Sequence, residues 1–244
     1  MLIYHYYLFI MTNGRILNII ISAGHVPNGH TSVRIEFMNT YRNRILILFA
    51  HPALQKSRVN KELISYVRDI EGVTFHDLYE EYPDFDIHVA REQQLLVTHD
   101  IIVFHHPLFW FSVPALLKEW MDLVLEHMWA YGRKGMALKG KIMLSVISTG
   151  GRESLFQAKG YNRHTIGEFL YPLAQSAYVC GMDYLSPFVV HGTHTITKEE
   201  IARNGEDYRR IIAALRDGTV DLERARTLPR LNSDIDSILM KQGE

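Results

Sequence analysis

The sequence predicts an α/β chain whose strands form one parallel sheet with helices on both faces, a doubly wound arrangement of three layers. Three observations carry this. Five short runs rich in β-branched and aromatic residues lie at 45–50, 73–78, 101–105, 142–148 and 184–190. The first, Ile45 to Ala50, is continuously apolar, as a strand buried on both faces of a covered sheet is. Longer stretches of helical period separate them, and parallel neighbours need crossovers of that kind.

The first run, Ile45-Leu46-Ile47-Leu48-Phe49-Ala50, feeds a polar loop and then a helix over 57–69. Ser57 is its N-cap, and Val59, Leu63, Ile64 and Val67 share one face. Glu71-Gly72 ends it. A second helix over 87–98 follows the strand at 73–78, and a third over 113–127 follows the strand at 101–105, with Pro114 in its first turn. The third shows a broad apolar face of Leu116, Leu117, Trp120, Met121, Val124 and Leu125. A fourth helix lies within 166–180, and a fifth over 198–215 follows the N-cap Thr197. Five strands in a domain of about 180 residues suit a flavodoxin-like sheet. The domain is placed at 44–218, with a charged tail, part helical and part disordered, over 219–244.

Residues 1–43 stand apart. Met1 to Met11 is apolar but too short to span a bilayer, and it has no basic flank, so neither a signal peptide nor an anchor is expected. The reading taken is an N-terminal extension outside the fold, disordered or not native, with the working chain starting at Met38. The alternative is a hairpin closed by Asn13-Gly14.

Of the 244 residues, 47% are hydrophobic and 22% charged, ordinary values for a globular protein with a sizeable core. A formal charge of -1 argues against a general binder of nucleic acid or anionic membranes. The single cysteine, Cys180, allows no internal disulfide, and the cytoplasm is the simplest address. The 13 histidines invite a metal reading, but His105-His106, His191 with His194, and His127 show no i, i+4 pair or C-x-x-C partner, so no metal site is expected.

In open α/β sheets ligands bind beyond the carboxyl ends of the strands, so the loops after strands one, three and four are the informative ones. The first carries His51 and Pro52, then Ser57, Arg58, Val59 and Asn60 at the helix start, without the G-x-G-x-x-G pattern. Hydroxyl, amide, guanidinium and helix N-terminal N–H groups there suit a flavin monophosphate better than a dinucleotide. The second loop, Pro107-Leu108-Phe109-Trp110-Phe111-Ser112, sets three aromatics where a surface turn is normally polar, and a stacked planar ring explains them. The third, Ser148-Thr149-Gly150-Gly151, lets the backbone approach a ligand with its N–H groups.

These segments, with Pro114-Ala115-Leu116-Leu117-Lys118-Glu119-Trp120-Met121-Asp122, resemble the NAD(P)H quinone oxidoreductase family. Leu78-Tyr79, Tyr82-Pro83-Asp84-Phe85 and Trp129-Ala130-Tyr131-Gly132 narrow the resemblance to its bacterial branch, which includes the ancillary proteins of glutathione-gated potassium efflux systems. The resemblance runs from about Arg44 to Leu215.

The family implies a homodimer with flavin at the subunit boundary, two-electron transfer from NAD(P)H to the flavin, and reduction of a quinone or similar acceptor, a ping-pong sequence. By position, His51 and Ser57 through Asn60 would hold the phosphate and ribityl chain, Leu108 through Phe111 would border the ring, and Ser148 through Gly151 would meet its polar edge. Trp129 and Tyr131 would roof the acceptor pocket or pack the dimer. Where the mammalian branch has an assisting tyrosine and histidine, this chain has Phe156 and Asn162, which leaves Tyr161 and His164 as the candidates. A single cradle favours FMN over FAD. The alternative function is a regulatory subunit docked on a membrane potassium antiporter, peripheral at the inner membrane through that partner. A flavodoxin-type electron carrier is the third reading, and the near-neutral charge speaks against it.

Overall fold

The computed structural model describes residues 3–12, 15–25, 31–38 and 42–240. The chain divides into two units, Met1–Arg42 and Asn43–Glu244. In the first, β1 (Ile3–Thr12), β2 (Arg15–His25) and β3 (Thr31–Met38) form an antiparallel sheet in that order. Thr12 stands opposite Arg15, and Met38 ends β3 opposite Asn18. The Asn13-Gly14 pair lies outside the described residues.

In the second unit the strands are β4 (Ile45–Phe49), β5 (Val73–Asp77), β6 (Ile101–Pro107), β7 (Ile142–Ser148), β8 (Asp183–Tyr184) and β9 (Phe188–Val190). Their order is β5-β4-β6-β7-β8, with β9 also on β7, and every pairing is parallel. Counting from β4, this is the 2-1-3-4-5 order, and the sheet changes its direction of growth between β4 and β6.

The expected fifth strand over 184–190 is two short pieces, β8 and β9. Pro187 between them has no N–H for a ladder, so pairing stops and resumes at Phe188. The edge that β9 leaves open is covered by the side chain of Asn232, which accepts from Val189 N at 3.1 Å and donates to Val189 O at 2.8 Å.

The helices are α1 (Arg58–Val67), α2 (Leu78–Glu81), α3 (Val89–Thr98), α4 (Ala115–Val124), α5 (Ile166–Phe169), α6 (Tyr171–Val179), α7 (Lys198–Asp217) and α8 (Leu222–Thr227). Local chemistry sets several ends. Leu78 leaves the strand because the Asp77 carboxylate accepts from Tyr79 N at 3.0 Å and starts α2. The expected helix within 166–180 breaks at Leu170, and Pro172 sits in the first turn of α6. Reciprocal capping boxes, Thr165 with Glu168 and Thr197 with Glu200, open α5 and α7.

Alternate residues of each strand feed opposite cores. Ile45, Ile47, Val103 and Val146 pack with α1 and α7, whereas Leu46, Leu48, Phe104 and Ile147 pack with α3, α4 and α6. The segment after α7 joins the first core: Leu228, Leu231, Ile235 and Ile238 are buried there, so its apolar residues complete the layer over the sheet. Among the described residues no helix is long and apolar enough to cross a membrane.

Candidate functional site

Three loops meet over the carboxyl ends of β4, β6 and β7. The first leaves β4 through His51, makes a 3-10 turn over Leu54–Lys56 and enters α1 at Ser57. Ser57 Oγ accepts from Asn60 N at 3.1 Å, the N-cap bond the sequence implied. The amides of Arg58 and Val59, first in α1, have no intrahelical acceptor and are available to an anion. His51 is buried, and its Nδ1 accepts from Ala53 N at 3.1 Å, which puts the ring proton on Nε2. Burial lowers its pKa, so the ring stays neutral. The Arg58 guanidinium bonds Ile196 O at 3.1 Å and Thr193 O at 3.4 Å, which ties α1 to the loop after β9.

The second loop makes a tight turn in which Ser112 N donates to Phe109 O at 3.0 Å. Its central residues, Trp110 and Phe111, have φ of 49° and 61°, the signs of a type I′ turn that Asn and Gly normally supply. Bulky side chains in that region cost about 1–3 kcal/mol each. The turn nevertheless holds Trp110 93% exposed, while Phe111 stacks on Phe169 at 4.8 Å and Phe109 meets the His51 ring edge-on at 5.8 Å.

The third loop is tied to the loop after β9. The Thr149 hydroxyl donates to Gly151 O at 2.8 Å and accepts from His191 Nδ1 at 3.0 Å, and Gly192 N donates to Gly151 O at 2.9 Å. Burial, with Glu153 opposing and Arg230 adding, pushes His191 down to about 4. A Cβ on Gly150 would lie 2.8 Å from His194 Nε2, and one on Gly151 would lie 3.1 Å from both Leu155 and Phe156. A larger residue at either position would therefore have to displace these side chains.

These loops enclose a cleft of about 500 Å³ lined by His51, Ser57, Arg58, Val59, Asn60, Leu108, Phe109, Ser148 and Gly150 among the expected residues. It lies at the switch point between β4 and β6, where doubly wound sheets hold their ligands. A sequence profile described as the flavodoxin-like fold, Flavodoxin_2, matches residues 43–212. The chain belongs to the flavodoxin-like family.

Within the flavodoxin-like family the chain is 44% identical over 165 residues to KefG, the glutathione-regulated potassium-efflux system ancillary protein of Yersinia enterocolitica, a match covering 68% of this chain and 90% of that one. It is similar in structure to general stress protein 14 of Treponema denticola, solved in complex with FMN, at 38% identity and TM-score 0.68 over 71% of this chain and 99% of that one. An NADPH-quinone reductase from P. pentosaceus matches at 34% identity and TM-score 0.63 over 69% and 96% of the two chains. The likeness to quinone oxidoreductases and to their potassium-efflux branch, drawn from the motifs alone, therefore holds, as does the flavodoxin-like sheet.

Not every expected residue lines this flavodoxin-like cleft. Trp110, Phe111, Thr149 and Gly151 flank it in the same loops. Tyr161 is 86% exposed and outside the lining, and His164 pairs with Glu168 at 3.6 Å and meets the edge of Phe169 at 5.7 Å. Trp129 and Tyr131 pack against the core on the α4 side, also away from the lining. Conversely, the cleft includes Lys56, Thr193 and His194, which sequence reasoning did not select. The signal was present, since Thr193 and His194 follow the fifth strand and the rule about strand ends applies to that loop as well.

Proposed function

We propose that this chain binds FMN in the switch-point cleft and reduces a quinone or similar planar acceptor at the expense of NAD(P)H. One observation carries the reading: three loops distant in sequence bring a hydroxyl-bearing helix N-terminus, a strained aromatic turn and the Ser148-Thr149-Gly150-Gly151 loop to one cleft of about 500 Å³. A phosphate monoester suits the first, a planar ring the second and the polar edge of that ring the third. The volume is within the range of small-molecule and cofactor sites. FMN is preferred to FAD because the loops form one anion cradle. The FMN complex of the Treponema denticola relative and the quinone reductase relative support the assignment.

In this reading Ser57 and the backbone amides of Arg58 and Val59 hold the phosphate, Asn60 stands behind Ser57 and orients it, and Lys56 adds positive charge at the rim. Leu108, Phe109, Trp110 and Phe111 border the ring face, and Ser148, Thr149, Gly150 and Gly151 meet its polar edge. A flavin held by these residues would supply two-electron chemistry between NAD(P)H and the acceptor. The protein contributes orientation and donors in fixed positions. Tyr161 and His164 are proposed as assisting groups from sequence, and His194, beside Gly150, joins them as a third candidate. A homodimer is proposed, with the loop of Trp129 and Tyr131 facing the partner subunit.

Anaerobic titration of the purified protein with NADH and NADPH, followed by a panel of quinones, tests this. The expected result is stoichiometric flavin that bleaches with the nicotinamide and regains colour with the acceptor. Protein with no affinity for FMN, or bound flavin that neither nucleotide bleaches, overturns it.

The identity with KefG favours a second reading, in which the chain is a cytoplasmic ancillary subunit of a potassium-efflux antiporter. Co-purification with an antiporter, and potassium efflux that depends on the chain in vesicles, would support it. Failure of both would remove it.

A further inference from the structure

A buried chain of hydrogen bonds runs from the core to the cradle. Tyr208 of α7 and His105 of β6 are both 0% exposed, and the Tyr208 hydroxyl lies 3.4 Å from His105 Nδ1. His105 Nε2 lies 3.2 Å from Asn60 Oδ1. Asn60 Nδ2 then donates to Ser57 Oγ at 3.0 Å and to Ser148 Oγ at 3.0 Å.

The direction of every proton follows from the inner end. Among the described residues the Tyr208 hydroxyl has one hydrogen-bonding partner, His105 Nδ1, so its proton must point there; left unpaired in the core it would cost about 1–3 kcal/mol. Burial, reinforced by His106 and His51, pushes His105 down to about 3, so the ring is neutral and carries one proton. With Nδ1 accepting, that proton is on Nε2 and is donated to Asn60 Oδ1. The amide is thereby oriented with both N–H groups toward the serines. Ser57 Oγ accepts from Asn60 N at 3.1 Å as well as from Asn60 Nδ2, which fills both of its lone pairs. Only its O–H remains, at the wall of the cleft. With the amide reversed, Ser57 would donate inward and offer the cleft a lone pair.

We propose that Tyr208 and His105 are positioning residues that, through Asn60, hold Ser57 as an obligate hydrogen-bond donor and make the cleft selective for an acceptor-only anion, the ionised phosphate of the flavin. This rests on the FMN reading above. A phosphate dianion only accepts, and a charged hydrogen bond is among the stronger contributors to binding.

The test compares FMN with riboflavin, which lacks the phosphate, by fluorescence titration of Tyr208→Phe, His105→Met and His105→Gln. Tyr208→Phe and His105→Met are expected to weaken FMN about tenfold while moving riboflavin less than about twofold. His105→Gln, which retains a donor toward Asn60, is expected to restore the preference for FMN. Equal losses for both flavins, or unchanged FMN affinity in Tyr208→Phe, overturn the proposal. If the wild-type protein binds neither flavin, the FMN reading fails on its own, and thermal shifts with inorganic phosphate decide the relay. Phosphate stabilisation lost in Tyr208→Phe then upholds it, and equal stabilisation of both proteins overturns it.

Discussion

The carboxylate of Glu92 accepts a hydrogen bond from the indole Nε1 of Trp120 at 2.8 Å, which joins α3 to α4 inside the helical layer. The same carboxylate takes the Tyr82 hydroxyl at 2.6 Å and lies 3.0 Å from His76 Nε2. All four side chains are buried. Burial alone would raise the pKa of Glu92, but the bonds from His76, Tyr82 and Trp120 outweigh it and hold the group below the ordinary glutamate range. Its contribution to stability is therefore present above the pKa of the unfolded chain and is lost as pH falls through the depressed folded value. Glu92→Ala leaves three buried donors unpaired and should cost about 3–5 kcal/mol, against about 1–3 for Glu92→Gln. Urea unfolding followed by tryptophan fluorescence measures both, and the acid limb of the stability profile should flatten in Glu92→Gln.

Asp77 behaves in the opposite sense. Burial pushes it up to about 6, with the Tyr79 amide opposing and Glu80 adding. Between the ordinary aspartate value of about 4 and this raised value, the folded chain holds a proton that the unfolded chain has released. Stability from this group thus falls as pH rises through that window. In Asp77→Asn the falling component between pH 4 and pH 6 should vanish, and thermal denaturation across that range would show whether it does.

The strained turn offers a test of the proposed acceptor face. Trp110 has φ of 49° and is 93% exposed, so little packing is lost on its removal. Trp110→Asn, better suited to that backbone region, should stabilise the fold by about 0.5–1 kcal/mol. KM for a quinone should rise at the same time. A rise in melting temperature without any change in acceptor kinetics would remove Trp110 from the site.

Gly205 lies within α7, where alanine would ordinarily favour the helix by about 1 kcal/mol. Here a Cβ would come within 2.4 Å of the Tyr66 ring on α1, so the two helices pack through the absence of a side chain. Gly205→Ala is expected to destabilise by about 1–3 kcal/mol despite its better propensity. Equilibrium unfolding reads the sign directly.

Much of the architecture was legible because its signals are local. Ile45 to Ala50 announced a doubly buried strand through continuous apolarity, and Ser57 announced a helix start through its hydroxyl. Other features were not legible for equally physical reasons. The burial of Leu231 and Ile238 depends on an edge strand that pairing with Asn232 completes, and no local pattern in a charged segment shows which surface it will meet. The break at Leu170 falls between the capped turn α5 and α6, which starts anew with Pro172 in its first turn, a restart no periodicity over 166–180 marks.

The sequence by itself determined where the five strand segments lie along the chain, the capped start of α1 and the composition of the three loops, because periodicity, capping and glycine freedom act over a few residues. Only the tertiary structure decided that Thr193 and His194 share the cleft, that Tyr161 and Tyr131 do not line it, and that Tyr208, 103 residues from His105, sets the polarity of Ser57. Those relationships are made by the 2-1-3-4-5 strand order, which brings distant strand ends to one edge, and by the rule that a buried proton must find an acceptor.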